Sequence, residues 1–221
     1  IKIVESIQYE KSSEVGHASG ILPLHFSLKH ELIQRFYALR SLYQFGDPGS
    51  TLPFSEIKFT ERMKALFQQY LLAVEHFKYT FFIWDKSMIT NLTNDIKYFH
   101  SIRLITDEEV QLLKKDIANF LDDLETLSIH GKYSNGNRVD IYVSSLNFEA
   151  TYSYTQTCRF SLVSMKAFTL TETVSLDETV LDKMKKWFQA LKRTSILISG
   201  SDERNRILFF EEQRDVLEKS L

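Results

Sequence analysis

Between Gly131 and Asn137 the spacing of apolar residues changes period, and one regular element cannot satisfy both halves. Upstream, large apolar side chains recur every three or four residues, the period of a helix face. Downstream they alternate with polar residues, the period of a half-buried strand. The joint, HGKYSNGNR, carries Asn135-Gly136, and glycine tolerates the positive φ that a tight turn needs. The pattern predicts an α+β protein. An N-terminal helical lobe over 1–131, built as a long-helix hairpin or bundle, docks on a lobe over 132–221 in which a helix covers a C-terminal antiparallel β-sheet.

Punctuation sharpens the upstream half. All three prolines (Pro23, Pro48, Pro53) and four of the seven glycines lie within the first 53 residues, so long regular elements are expected beyond them. Before that point, IKIVESIQYE reads as an edge strand and KSSEVGHASGILPLH as a loop. Ser27 caps a helix with Leu28, Leu32, Phe36, Leu39 and Tyr43 on one face, and FGDPGSTLP breaks the chain. Met63, Leu66, Phe67, Tyr70, Val74, Phe77, Phe81 and Trp84 then form one stripe, continued in phase by Met88, Leu92, Ile96, Phe99 and Ile102. The spacing predicts a helix over Ser55–Arg103, bent near 85–91. In ITDEEVQLL, Thr106 and Glu109 have capping-box spacing, and the acids behind Thr106 suit a helix N-terminus. The helix that follows carries a seam of Val110, Leu113, Ile117, Phe120, Leu124 and Leu127, expected to pack antiparallel on its predecessor.

Downstream, VDIYVSSL, FEATYSYT, RFSLVSM and FTLTETVSL are β-branched and aromatic and are spaced as a meander. Ser175 or Asp177 caps a helix bearing Val180, Leu181, Met184, Trp187, Phe188 and Leu191. SILIS and RILFF read as short strands around the turn GSDERN, and EEQRDVLEKSL as a closing helix.

Composition narrows the chemistry. The 221 residues carry a net charge of −2, which argues against general nucleic-acid affinity. There is no G-x-G-x-x-G and no Walker sequence to cradle phosphates. The lone Cys158 excludes an internal disulfide and a multi-cysteine metal site. With no signal-peptide pattern in view, a reducing, cytoplasmic setting is expected. The apolar run ending at Trp84 is interrupted by Glu75, His76 and Lys78, and a membrane span needs about 20 largely uncharged residues, so none is expected. The six histidines show no i, i+4 ligand pair, and neither a metal nor a cofactor is expected.

Two surfaces stand out. On a helix, Leu71, Leu72, Tyr79, Phe82 and Ile83 fall behind the main stripe, and a helix apolar on two sides meets either core on both sides or a partner. These five residues are the candidate interface for a protein partner or a second copy. Lys185, Lys186, Lys192 and Arg193 gather on the penultimate helix and are candidate phosphate contacts. The expected function is a non-catalytic protein–protein interaction module, an adaptor or subunit of an intracellular assembly.

The alternative is a nucleic-acid-processing enzyme, metal-dependent or of a second kind. Asn94 and His100 in TNDIKYFHSIR resemble, over seven residues, the R-polar-x(4–6)-H motif of HEPN-type ribonucleases. That resemblance implies a helical, dimeric enzyme in which the His moves a proton and the Arg holds the phosphate. Thr93 stands where the Arg belongs, and Arg103 follows His100 instead.

Overall fold

The segment YTFFIWD, Tyr79–Asp85, is a β-strand in the computed structural model of the chain. The structure describes residues 14–19, 30–45, 52–57, 77–148, 150–155, 159–164, 172–175, 177–200 and 202–221. The elements are β1 (Glu14–Ser19), α1 (Glu31–Phe45), a single 3-10 turn (Phe54–Glu56), β2 (Tyr79–Asp85), α2 (Met88–Ser101) and α3 (Asp107–His130). After these come β3 (Arg138–Ser144), β4 (Ala150–Thr155), β5 (Arg159–Ser164), β6 (Glu172–Ser175), α4 (Glu178–Thr194), β7 (Ile196–Leu197) and α5 (Glu203–Ser220).

Among the described residues the strands form one seven-stranded sheet in the order β6-β5-β4-β1-β2-β3-β7. β1, β2 and β3 run parallel, with Glu14 beside Tyr79 and Tyr79 beside Arg138. β4 joins β1 antiparallel, β5 and β6 follow antiparallel, and β7 pairs antiparallel with β3 through two residues. This corrects the expected architecture in two ways. The sheet is mixed, not antiparallel, and its centre comes from the first half of the chain. The long helix over Ser55–Arg103 is replaced, over the described part, by β2 and α2, while 58–76 lie outside the described residues.

Both corrections have one cause. A run that is apolar on two sides fits a doubly buried helix and a central parallel strand equally well, because a parallel strand is covered on both faces. In β2 alternate side chains serve different cores. Phe82 and Trp84 enter the larger core with α1, α2, α3 and α5, whereas Phe81 and Ile83 enter a smaller core under α4. All four are buried. The segment Glu14–Ser19, read as loop, is β1 for the same reason. Gly16 carries no side chain to signal a period, yet Val15 and Ala18 are buried on opposite faces between β2 and β4.

Local signals held where they were strongest. Thr106 caps α3, its Oγ1 accepting from the Glu109 amide at 3.2 Å while the Glu109 carboxylate accepts from the Thr106 amide at 2.8 Å. Val110, Leu113, Ile117, Phe120 and Leu124 are buried, but α3 spends that seam on α1, α5 and β3 as well as α2. Gly131 ends α3 in a left-handed conformation at φ 59, its amide bonding back to the Leu127 carbonyl. Gly136 turns the chain at φ 86. RILFF is helical, not a strand. Asp202 caps α5 by accepting from the Asn205 amide, and Arg206, Phe209, Phe210, Gln213 and Leu217 form its buried stripe. Among the described residues no helix is long and apolar enough to cross a membrane.

Candidate functional site

Parallel strands line up their ends, so residues from three sequence regions meet at each edge of the sheet. At the starting edge, on the α4 face, Tyr79, Arg138 and Asp140 converge with Lys192 of α4. The Tyr79 hydroxyl donates to Asp140 Oδ2 at 2.8 Å. Arg138 grips the same carboxylate through Nε and Nη2, at 3.0 and 2.8 Å. Lys192 Nζ donates to the Tyr79 oxygen at 2.8 Å and lies 4.3 Å from the Phe81 ring centre, with Tyr79 and Tyr142 at 5.0 and 5.3 Å.

The electrostatics follow from burial. Desolvation, reinforced by the hydrogen bond to Asp140, pushes the Tyr79 phenol far above its usual value. Desolvation and the Asp140 charge raise Tyr142 as well. Burial lowers the Lys192 ammonium, opposed by Asp140 and Glu14. Tyr79 is thereby held as a neutral phenol between a cation and an anion. That arrangement suits a clasp between α4 and the sheet, since a tyrosine acting as a base needs its pKa brought down rather than up.

The opposite edge is where ligand crevices form in open parallel sheets. Here Asp85 is buried, and its Oδ1 accepts from the Ser87 amide at 2.9 Å and hydroxyl at 2.6 Å. Its Oδ2 accepts from the Phe148 amide at 3.3 Å. Lys86 donates its amide to the Ser144 carbonyl, and Gln213 donates to the Lys86 carbonyl. The edge is laced by the protein's own groups, which tie β2, the loop after β3 and α5 together.

The candidates named from sequence fall as follows. Leu71 and Leu72 lie outside the described residues. Phe82 and Ile83 are fully buried, so the flank that helical spacing gave them is the interior of a sheet. Tyr79 is half-buried in the Lys192 clasp. Of the basic set, Lys192 is engaged in that clasp and Lys186 pairs with Asp182 at 2.7 Å, while Lys185 is partly buried and Arg193 is exposed. Cys158, His25 and His76 lie outside the described residues. His17 is stacked on Phe82 with ring centres 5.2 Å apart, and burial lowers its pKa to about 4. His30 sits between Asp116 and Asp123 of α3, its ring nitrogens 3.5 and 3.4 Å from them. Among the described residues no three His, Cys, Asp or Glu side chains are placed to hold a metal.

Two surface features complete the picture. His100 at the end of α2 meets Asp107 at the start of α3, Nε2 to Oδ1 at 2.8 Å, beside Lys97 and Gln111 in a cavity of about 360 Å³. Arg103, in the turn between these helices, has a left-handed backbone at φ 61. On α5, Ile207 and Leu208 are 40% and 54% exposed and line a shallow depression of about 600 Å³ with Asp202, Glu203 and Arg204. The sequence hides this patch, because RILFF also fits strand alternation, which masks the helical face that Arg204, Ile207 and Leu208 share. Comparison with protein-family models, with curated proteins and with solved structures finds no match for this chain.

Proposed function

We propose that this chain is a non-catalytic protein-interaction module, an adaptor or subunit of a larger assembly, that docks through the outward face of the start of α5. One observation carries the reading: two adjacent large aliphatic side chains, Ile207 and Leu208, stand exposed in a depression rimmed by charge. Exposed aliphatics scattered singly are ordinary, whereas an apolar centre within a polar rim is the anatomy of a docking site. The chain of bonds from Lys192 to Tyr79, and from Tyr79 and Arg138 to Asp140, fits the same reading, because those groups serve the fold. The test is affinity capture with quantitative mass spectrometry, comparing the chain with its Leu208→Asp variant. Loss of specific partners from the variant supports the module, and an unchanged set of captured proteins sinks it.

A second reading, nucleic-acid processing, draws on the His100–Asp107 pair, in which a carboxylate from another helix orients an imidazole beside Lys97. RNA cleavage by pure protein that His100→Ala abolishes would establish it in place of the first.

A further inference from the structure

The charges around Ile207 and Leu208 are arranged symmetrically about the apolar pair, and that symmetry selects an occupant. At 100° and 1.5 Å per residue, Arg204 and Glu211 lie about 5 Å to either side of the point midway between Ile207 and Leu208, at nearly the same azimuth. Both are exposed, and neither forms a hydrogen bond or ion pair with the described residues. Their neighbours are committed elsewhere. Arg214 holds Asp122 and Glu125, and Asp215 pairs with Lys219.

We infer that this face binds a second copy of the chain through antiparallel α5–α5 packing about a two-fold axis. The inference rests on the docking-face reading above and names its partner. A two-fold axis brings the same patch from both subunits together, so a surface fits it only if it complements itself. Centred between Ile207 and Leu208, the operation sets Ile207 beside its own copy on one flank of the seam and Leu208 beside its own copy on the other. It also sets each Arg204 opposite the Glu211 of the other copy. The acids that would repel, Glu203 and Glu212, fall about a quarter turn to opposite flanks, off the seam. Antiparallel helices at the usual spacing of about 8–10 Å place side chains of this length in contact. The apolar centre is small, so the dimer belongs with weak, reversible interfaces that bury less than about 1,200 Å².

Charge reversal tests the pairing directly. Light scattering and sedimentation equilibrium are run over a wide protein concentration range on four chains: the unaltered protein, Arg204→Glu, Glu211→Arg and the double variant. Circular dichroism confirms that these surface substitutions leave the fold intact. The unaltered chain is expected to dimerise with concentration. Each single reversal is expected to weaken association by about tenfold or more, because like charges then meet twice across the axis. The double variant is expected to recover it. A chain that stays monomeric throughout, or a dimer indifferent to the single reversals or not restored in the double variant, overturns the proposal. Capture of a different protein, sensitive to Leu208→Asp, by a strictly monomeric chain overturns the second copy as occupant while the docking face survives. The two readings therefore fail separately.

Discussion

Burial of His17 against Phe82 makes the folded chain a poorer proton binder than the unfolded one. Its pKa drops from 6.5 to about 4 because the interior penalises the imidazolium. Above pH 6.5 both states are neutral, and the stability is fully present. Between 6.5 and about 4 the unfolded imidazole takes up a proton that the folded one refuses, so stability falls as the pH falls. A difference of this size corresponds to roughly 3 kcal/mol in total. Urea unfolding at stepped pH should show the decline, and His17→Phe, which keeps a ring over Phe82, should flatten it. The Lys192 clasp makes a different prediction. Asp140→Asn weakens the charge-assisted bonds that Tyr79 and Arg138 make to a buried carboxylate and should cost about 2 kcal/mol. Lys192→Met should cost less, within about 1 kcal/mol, since an apolar chain still fills the aromatic box. Equal losses in the two variants, measured by chemical denaturation, would show that the ammonium contributes as much to the cluster as the carboxylate does.

Among the elements, α3 is the one most fully specified by its own sequence. Its start is closed by reciprocal bonds between Thr106 and Glu109, and its end by the left-handed Gly131. Thr106→Ala should lower stability by about 1 kcal/mol, the usual worth of a cap. Gly131→Ala should cost a comparable amount through backbone strain at φ 59, although an added Cβ would meet nothing closer than 3.7 Å. Thermal unfolding of the two variants checks both. The same helix shows where such legibility stops. Its seam at Val110, Leu113 and Ile117 is visible in the sequence, but the identity of what covers it is not. α4 was readable for a related reason: Asp177 accepts from the Thr179 and Val180 amides, bonds that need only three neighbouring residues. α5 was half legible. Its closing turns are plainly helical, but Ile207 to Phe210 is a short apolar run that either period accommodates. The exposed pair Ile207 and Leu208 is hidden with it.

Across the whole molecule, β1 and β2 hold the centre of a sheet whose other strands come from beyond residue 131. The chain should therefore unfold in one step. Trp84 reports the larger core and Trp187 the smaller. In the Trp187→Phe variant, Trp84 fluorescence and far-ultraviolet circular dichroism should give coincident urea transitions, the mark of two-state behaviour. Transitions that separate would mean the two cores melt independently. What this sequence determined by itself is everything settled within a turn or two of chain: the capping box at Thr106, the Asp177 cap, the Asn135-Gly136 turn, and the helical stripe of α4. What only the tertiary structure decided is the state of its apolar runs at Glu14–Ser19, Tyr79–Asp85 and Arg206–Phe210. A cap satisfies its hydrogen bonds locally, so its residues suffice to identify it. An apolar run gains its energy from whatever covers it, and for β2 the cover is β1, β3 and helices drawn from both ends of the chain.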